Sequence, residues 1–159
     1  ILPDYMRIFI ITTKLNFKTA GGSVGDIDLR AKVLTEMGHT VTVVSTFSET
    51  NTTTGPLPYG VKKEFIRPRG LLGIQMGTYR IIKKYELEAD VFHVDGQVFL
   101  YAAGWYRLVG GRVPILNFFN HGLSAWADET KAYTKPTKPY WLWAKWLKKK
   151  LRFLLERSL

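Results

Sequence analysis

Five short runs of β-branched and aromatic residues, separated by segments of helical period, constrain the fold of this chain more than any other feature. Arg7-Ile8-Phe9-Ile10-Ile11-Thr12 is nearly continuous in apolar character, as expected of a strand buried on both faces. Thr40-Val41-Thr42-Val43-Val44-Ser45 repeats that pattern. Residues 61–66 form a weaker third run, read as an edge strand ended by Pro68. Asp90-Val91-Phe92-His93-Val94-Asp95 is the fourth and Pro114-Ile115-Leu116-Asn117-Phe118-Phe119-Asn120 the fifth. Between the first two, Val24, Ile27, Ala31, Leu34 and Met37 recur at helical spacing, with Gly38 placed as the C-cap. Residues 71–88 read as a second helix, with Leu72, Gln75, Met76, Tyr79, Ile82 and Tyr85 in approximate register. Residues 98–109 read as a third, apolar and well buried, and residues 140–159 as a last one. The Ser-, Thr-, Gly- and Pro-rich stretch 46–60 reads as loop, and its Asn51-Thr52-Thr53 sequon as part of that loop.

This alternation predicts an α/β fold, a Rossmann-like, doubly wound, mostly parallel sheet with helices on both faces. A length of 159 residues suits one domain with an ample core. The absence of cysteine excludes a disulfide scaffold, a thiol nucleophile and any Cys-ligated zinc or iron–sulfur centre. In open α/β sheets, ligands sit beyond the carboxyl ends of the strands. Three places therefore matter: the loop 12–25, the turn Asp95-Gly96-Gln97 and the turn Asn120-His121-Gly122.

Ala20-Gly21-Gly22-Ser23-Val24-Gly25 joins the first strand to the first helix. Adjacent glycines let backbone approach a ligand, and a helix N-terminus favours an anion, so Gly21, Gly22 and Ser23 are candidate phosphate contacts. A flexible turn capped by Ser23 or Asp26 is the plainer alternative. A nicotinamide fingerprint fails three times: Ala20 holds the first glycine position, the loop is too long, and Ser45-Thr46 stand where an acid belongs. A P-loop is excluded, because no Gly-Lys-Ser/Thr follows. Of the three histidines, His39 reads as surface loop and His93 as a core residue. His121, at the carboxyl end of an apolar strand, reads as the functional one. Their spacing gives no metal site, and no cofactor is expected.

Together these segments resemble the start of retaining, family-4-like glycosyltransferases of the GT-B fold. The resemblance rests on residues 6–12, on Gly21-Gly22-Ser23, and on Leu34-Thr35-Glu36-Met37-Gly38-His39-Thr40-Val41-Thr42-Val43-Val44. Asp90-Val91-Phe92-His93-Val94-Asp95, Asn120-His121-Gly122 and Leu154-Leu155-Glu156-Arg157 extend it. Asp95 stands where that family often has a second histidine. The resemblance implies an N-terminal, acceptor-side domain spanning residues 1–159, truncated, with a donor-binding second domain still to follow. It implies a nucleotide-sugar donor, a glycan or lipid-linked acceptor, and no catalysis by this half alone. Gly21, Gly22 and Ser23 would line the donor diphosphate. His121 would be catalytic, and Asp95, Gly96, Gln97, Asn120 and Gly122 would line the acceptor side.

The net charge of +10 is localised. Residues 1–130 carry 14 basic and 12 acidic residues, whereas residues 131–159 carry 9 basic residues and a single acid, Glu156. On a helix through residues 140–159, Lys145, Lys148, Lys149, Arg152 and Glu156 share one side. Trp143, Trp146, Leu147, Leu151, Phe153, Leu154 and Leu155 spread over the other, interrupted by Lys150 and Arg157. Such a helix suits an anionic membrane surface, with Trp143, Trp146, Lys148, Lys149, Lys150 and Arg152 as contacts. It equally suits packing on the sheet with a solvated basic face. Its aromatics lie on a helix rather than on a strand platform, which argues against nucleic acid. No stretch approaches the ~20 apolar residues of a membrane span and no signal sequence is visible. The expected location is therefore cytoplasmic, peripheral on the inner face of the membrane. A non-catalytic basic module for anionic membrane or nucleic acid is the competing reading.

Overall fold

The computed structural model describes residues 5–12, 15, 17, 22–46, 56–66, 70–96, 99–118, 146–147 and 150, without the side chains of residues 22–23, 70–72 and 118. Their elements run in the order β1 (Arg7–Thr12), α1 (Gly22–Glu36), β2 (Thr40–Ser45), β3 (Gly60–Lys63), α2 (Gly70–Tyr85), β4 (Val91–Asp95), α3 (Leu100–Leu108) and β5 (Ile115–Phe118). The five strands form one sheet in the order β3-β2-β1-β4-β5, and every pair is parallel.

The apolar runs behave as buried strands because both faces are covered. Ile8 and Ile10 of β1, with Val41 and Val43 of β2, pack under Val24, Ile27 and Ala31 of α1. The alternate residues Phe9, Ile11 and Val44, with Phe92 and Val94 of β4, pack under α2 and α3 through Ile81, Ile82, Tyr85 and Tyr106. Among the described elements one helix covers one face and two cover the other, which is the doubly wound arrangement. Phe9 stacks on Tyr85 with ring centroids 5.1 Å apart, and Phe92 meets Tyr106 edge-on at 6.4 Å. Aromatic pairs favour such offset and edge geometries.

The element bounds differ from the sequence expectation in instructive ways. β3 is the edge strand, as expected, but its ladder ends at Lys63 rather than Ile66. Beyond it the chain stays beside β2 through two isolated bonds, Glu64 N to Ser45 O and Ile66 N to Thr46 O. α2 ends at Tyr85, because the amides of Glu88 and Ala89 both turn back to the Tyr85 carbonyl. Met37 lies past the end of α1 and is exposed, while Gly38 takes the left-handed conformation of a C-cap at φ 93°. α3 is buried on one side only: Trp105, Leu108 and Val109 face solvent. His39 is half-buried rather than exposed, and its Nδ1 is enclosed without a hydrogen-bond partner among the described residues. Met76 falls in the expected apolar register of α2 but is exposed; Ile81 and Thr78 are buried beside the expected Ile82 and Tyr85.

The amino edge of the sheet is clamped. Arg7 Nη2 reaches Asp90 Oδ1 at 2.7 Å and Arg7 Nε reaches Oδ2 at 3.1 Å. The backbones add Arg7 N to Asp90 Oδ2 at 2.7 Å and Asp90 N to Arg7 O at 2.9 Å. On the other helical layer, Gln75 Oε1 accepts from the amide of Ala102 at 2.7 Å. Ala102 is in the first turn of α3, where amides have no partner within the helix, so α2 supplies the cap.

Candidate functional site at the carboxyl edge

Strand order reverses between β1 and β4, and the two strands part there. The β1–β2 ladder runs the full length, to Thr12 opposite Ser45. The β1–β4 ladder stops one residue short, at Ile11 opposite Val94. β4 stays paired on its far side, with Asp95 opposite Phe118 of β5. Thr12 is likewise held on its far side, since the amide and hydroxyl of Thr46 both donate to its carbonyl at 3.0 Å. The result is a fork with Thr12 and Asp95 on its two prongs, at the switch point where open α/β sheets take ligands.

The helix after β1 begins at Gly22, so Gly22 and Ser23 are its first two residues rather than part of the preceding loop. Their amides belong to the set that has no intrahelical acceptor, and the helix dipole adds partial positive charge there. No acidic residue occupies the first turn to oppose an anion.

Further along α1, Arg30 reaches across to β4. Its Nη1 lies 3.2 Å from His93 Nε2 and 3.7 Å from Asp95 Oδ1. Alternation on β4 explains the meeting: Phe92 and Val94 face α2 and α3, which turns Val91, His93 and Asp95 toward α1. Burial pushes His93 down to about 4, and the Arg30 charge pushes in the same direction. Burial raises Asp95 above the usual aspartate range; Arg30 opposes that rise, while Asp26 adds to it. Gly96 turns the chain away from β4 at φ 108°, a conformation that strains any side-chain-bearing residue.

Of the residues singled out by sequence, Asp95 and Gly96 stand at the β4 prong of the fork, and Gly22 and Ser23 open the helix that follows β1. Gly21, Gln97, Asn120, His121 and Gly122 lie outside the described residues. So do Trp143, Lys148, Lys149 and Arg152. Trp146 and Leu147 are helical and exposed, and Lys150 Nζ sits 4.3 Å from the Trp146 ring centroid. Arg30 was missed, although its position three residues after Ile27 and one before Ala31 puts it at the border of the buried stripe. Asn117 was also missed: both amide atoms are enclosed on β5 and have no partner among the described residues. Among the described residues no cluster of three His, Asp or Glu could hold a metal, and no helix is long and apolar enough to cross a membrane.

No family model matches the chain, and no curated protein matches it at a significant level.

Proposed function

We propose that this chain is the acceptor-side, N-terminal half of a nucleotide-sugar-dependent glycosyltransferase of the family-4-like, GT-B kind. The observation that carries the reading is the fork between Thr12 and Asp95, with the start of α1 at Gly22 following one prong and the Arg30–Asp95 pair on the other. The fold supports it by supplying a doubly wound parallel sheet, and the sequence resemblance supplies the chemistry. In this reading the leading amides of α1 donate hydrogen bonds to the donor diphosphate as its charge develops on leaving. Asp95 and the turn residues Gly96, Gln97, Asn120 and Gly122 orient acceptor hydroxyls. His121 works at the reacting centre. A second domain completes the cleft and holds the nucleotide.

The test is transfer from a panel of nucleotide sugars by the full-length gene product, with His121→Ala beside it. Sharp loss of transfer in a folded His121→Ala protein supports the assignment; unchanged turnover removes His121 from the mechanism. No transfer from any donor, with no second domain in the gene product, favours the competing reading of a basic membrane-contact module. That alternative draws on the exposed Trp146–Leu147 pair with Lys150 beside it.

A further inference from the structure

A groove of about 510 Å³ lies between α2 and the extended residues that follow β3, at the β3 edge of the sheet. That volume is in the range of small-molecule sites. Its floor is Ile66 and Ile81, both buried, and its lips are Phe65 and Met76, both exposed. Gly77 keeps the wall thin: a Cβ there would sit 2.6 Å from Ile66 Cγ2. Gly73, Gly77, Arg80 and Lys84 fall in a row along one flank of the helix. At ~1.5 Å per residue that row is roughly 16 Å long, so the groove is elongated rather than round.

Charge is concentrated toward one end. Glu64 accepts hydrogen bonds from Lys84 and from the Tyr85 hydroxyl, and Lys62 pairs with Glu88 at 2.9 Å. Those pairs neutralise each other. Arg80 lines the groove, is exposed, and makes no ion pair with a described residue, so the local balance is one positive charge in excess. An apolar trough lined by a guanidinium that pairs with no described carboxylate suits a molecule with an aliphatic tail and an anionic head.

We propose that this groove binds one single-chain anionic lipid, with its chain along α2 over Ile66 and Ile81 and its head on Arg80. A folded protein partner is disfavoured by size, since stable protein interfaces bury roughly 800 Å² per side, far more than this trough offers. The proposal does not depend on the glycosyltransferase reading.

The experiment is an NMR titration of backbone amides in the full chain with dodecyl phosphate below its micelle concentration. Dodecyl maltoside and inorganic phosphate serve as parallel probes. Saturable shifts centred on Phe65, Met76, Gly77 and Arg80 are expected with dodecyl phosphate, and much weaker binding with either probe. Arg80→Glu lowers affinity about tenfold or more, because a charge-assisted contact becomes a repulsion. Arg80→Lys retains most of it. Met76→Asp weakens binding with an unchanged thermal midpoint. Absence of saturable shifts, shifts centred elsewhere, equal binding of the maltoside, equal shifts from phosphate alone, or an Arg80→Glu protein that binds as well as the parent each overturns the proposal.

Discussion

Arg30 Nη1 stands 3.2 Å from His93 Nε2, and only one assignment of the proton fits that contact. A guanidinium donates and never accepts, so His93 Nε2 is the acceptor and Nδ1 carries the ring hydrogen. Protonating the ring would set a cation against a cation in a half-buried place. The imidazole of His93 is therefore expected to titrate at about 4, well below the usual histidine range. Histidine ring resonances followed from pH 8 to pH 3.5 check this. Because the folded value lies below the unfolded ~6.5, the unfolded chain takes up the proton first as pH falls. Stability declines from about pH 6.5 down to about pH 4 and levels off below, by up to ~1 kcal/mol per pH unit after allowance for partial exposure. His93→Asn flattens that slope; an unchanged slope rules out His93 as its source.

The Arg7–Asp90 clamp gives a second, more acidic pH dependence. Hydrogen bonds from the Arg7 side chain, then from its backbone amide, hold the Asp90 carboxyl below the ordinary aspartate range. A lowered carboxylate contributes stability above its unfolded value near 3.9 and loses it as pH falls through the folded value. Asp90→Asn lowers the thermal midpoint at pH 7, and the gap to the parent protein narrows steadily below pH 4. An equal gap at pH 7 and pH 3 contradicts this role for the clamp.

Gly111 is a packing requirement. A Cβ at this position would lie 2.3 Å from the ring atoms of Tyr106, which is itself fully buried. The ring cannot withdraw freely, since its hydroxyl donates to Glu86 Oε1 at 2.7 Å and accepts from Val113 N at 3.1 Å. Gly111→Ala is expected to cost about 2–3 kcal/mol of stability by overpacking. Urea unfolding measures it. Gly25→Ala, where a Cβ meets nothing within 4 Å, is the matched control and costs far less.

Gln75 is a polar residue in the core for a reason that a helix wheel does not show. Its carbonyl caps the first turn of α3, and removing it leaves a buried amide without an acceptor. Gln75→Leu keeps the volume and the helix propensity, yet should cost about 1–3 kcal/mol. The same change should speed hydrogen exchange at Ala102. Unaltered exchange there means that the cap is dispensable.

Much of the architecture was legible because strands buried on both faces announce themselves by continuous apolar character, as in β1 and β2. Element ends were less legible, since they are set by single contacts. The pairing of β3 stops at Lys63 although Glu64, Phe65 and Ile66 continue the pattern, and α2 stops where the Tyr85 carbonyl captures two later amides. At the fork, Asp95 and Gly96 were recognisable from their place at a strand end. Arg30 was not, because its partners lie more than sixty positions away in the chain and only the parity of β4 turns His93 and Asp95 toward α1. The enclosed amide of Asn117 was hidden for the same reason: within an apolar run a single asparagine carries no sign of which face it takes.

The early end of the β1–β4 ladder belongs to the main chain rather than to any one side chain. The opening between Thr12 and Asp95 is bounded by strand order and main-chain pairing. Close to the two prongs the chain returns to the core, since Leu15 and Phe99 are both fully buried. An opening bounded by main-chain pairing is a property of the backbone, so its place in the sheet does not depend on which side chain stands at position 95.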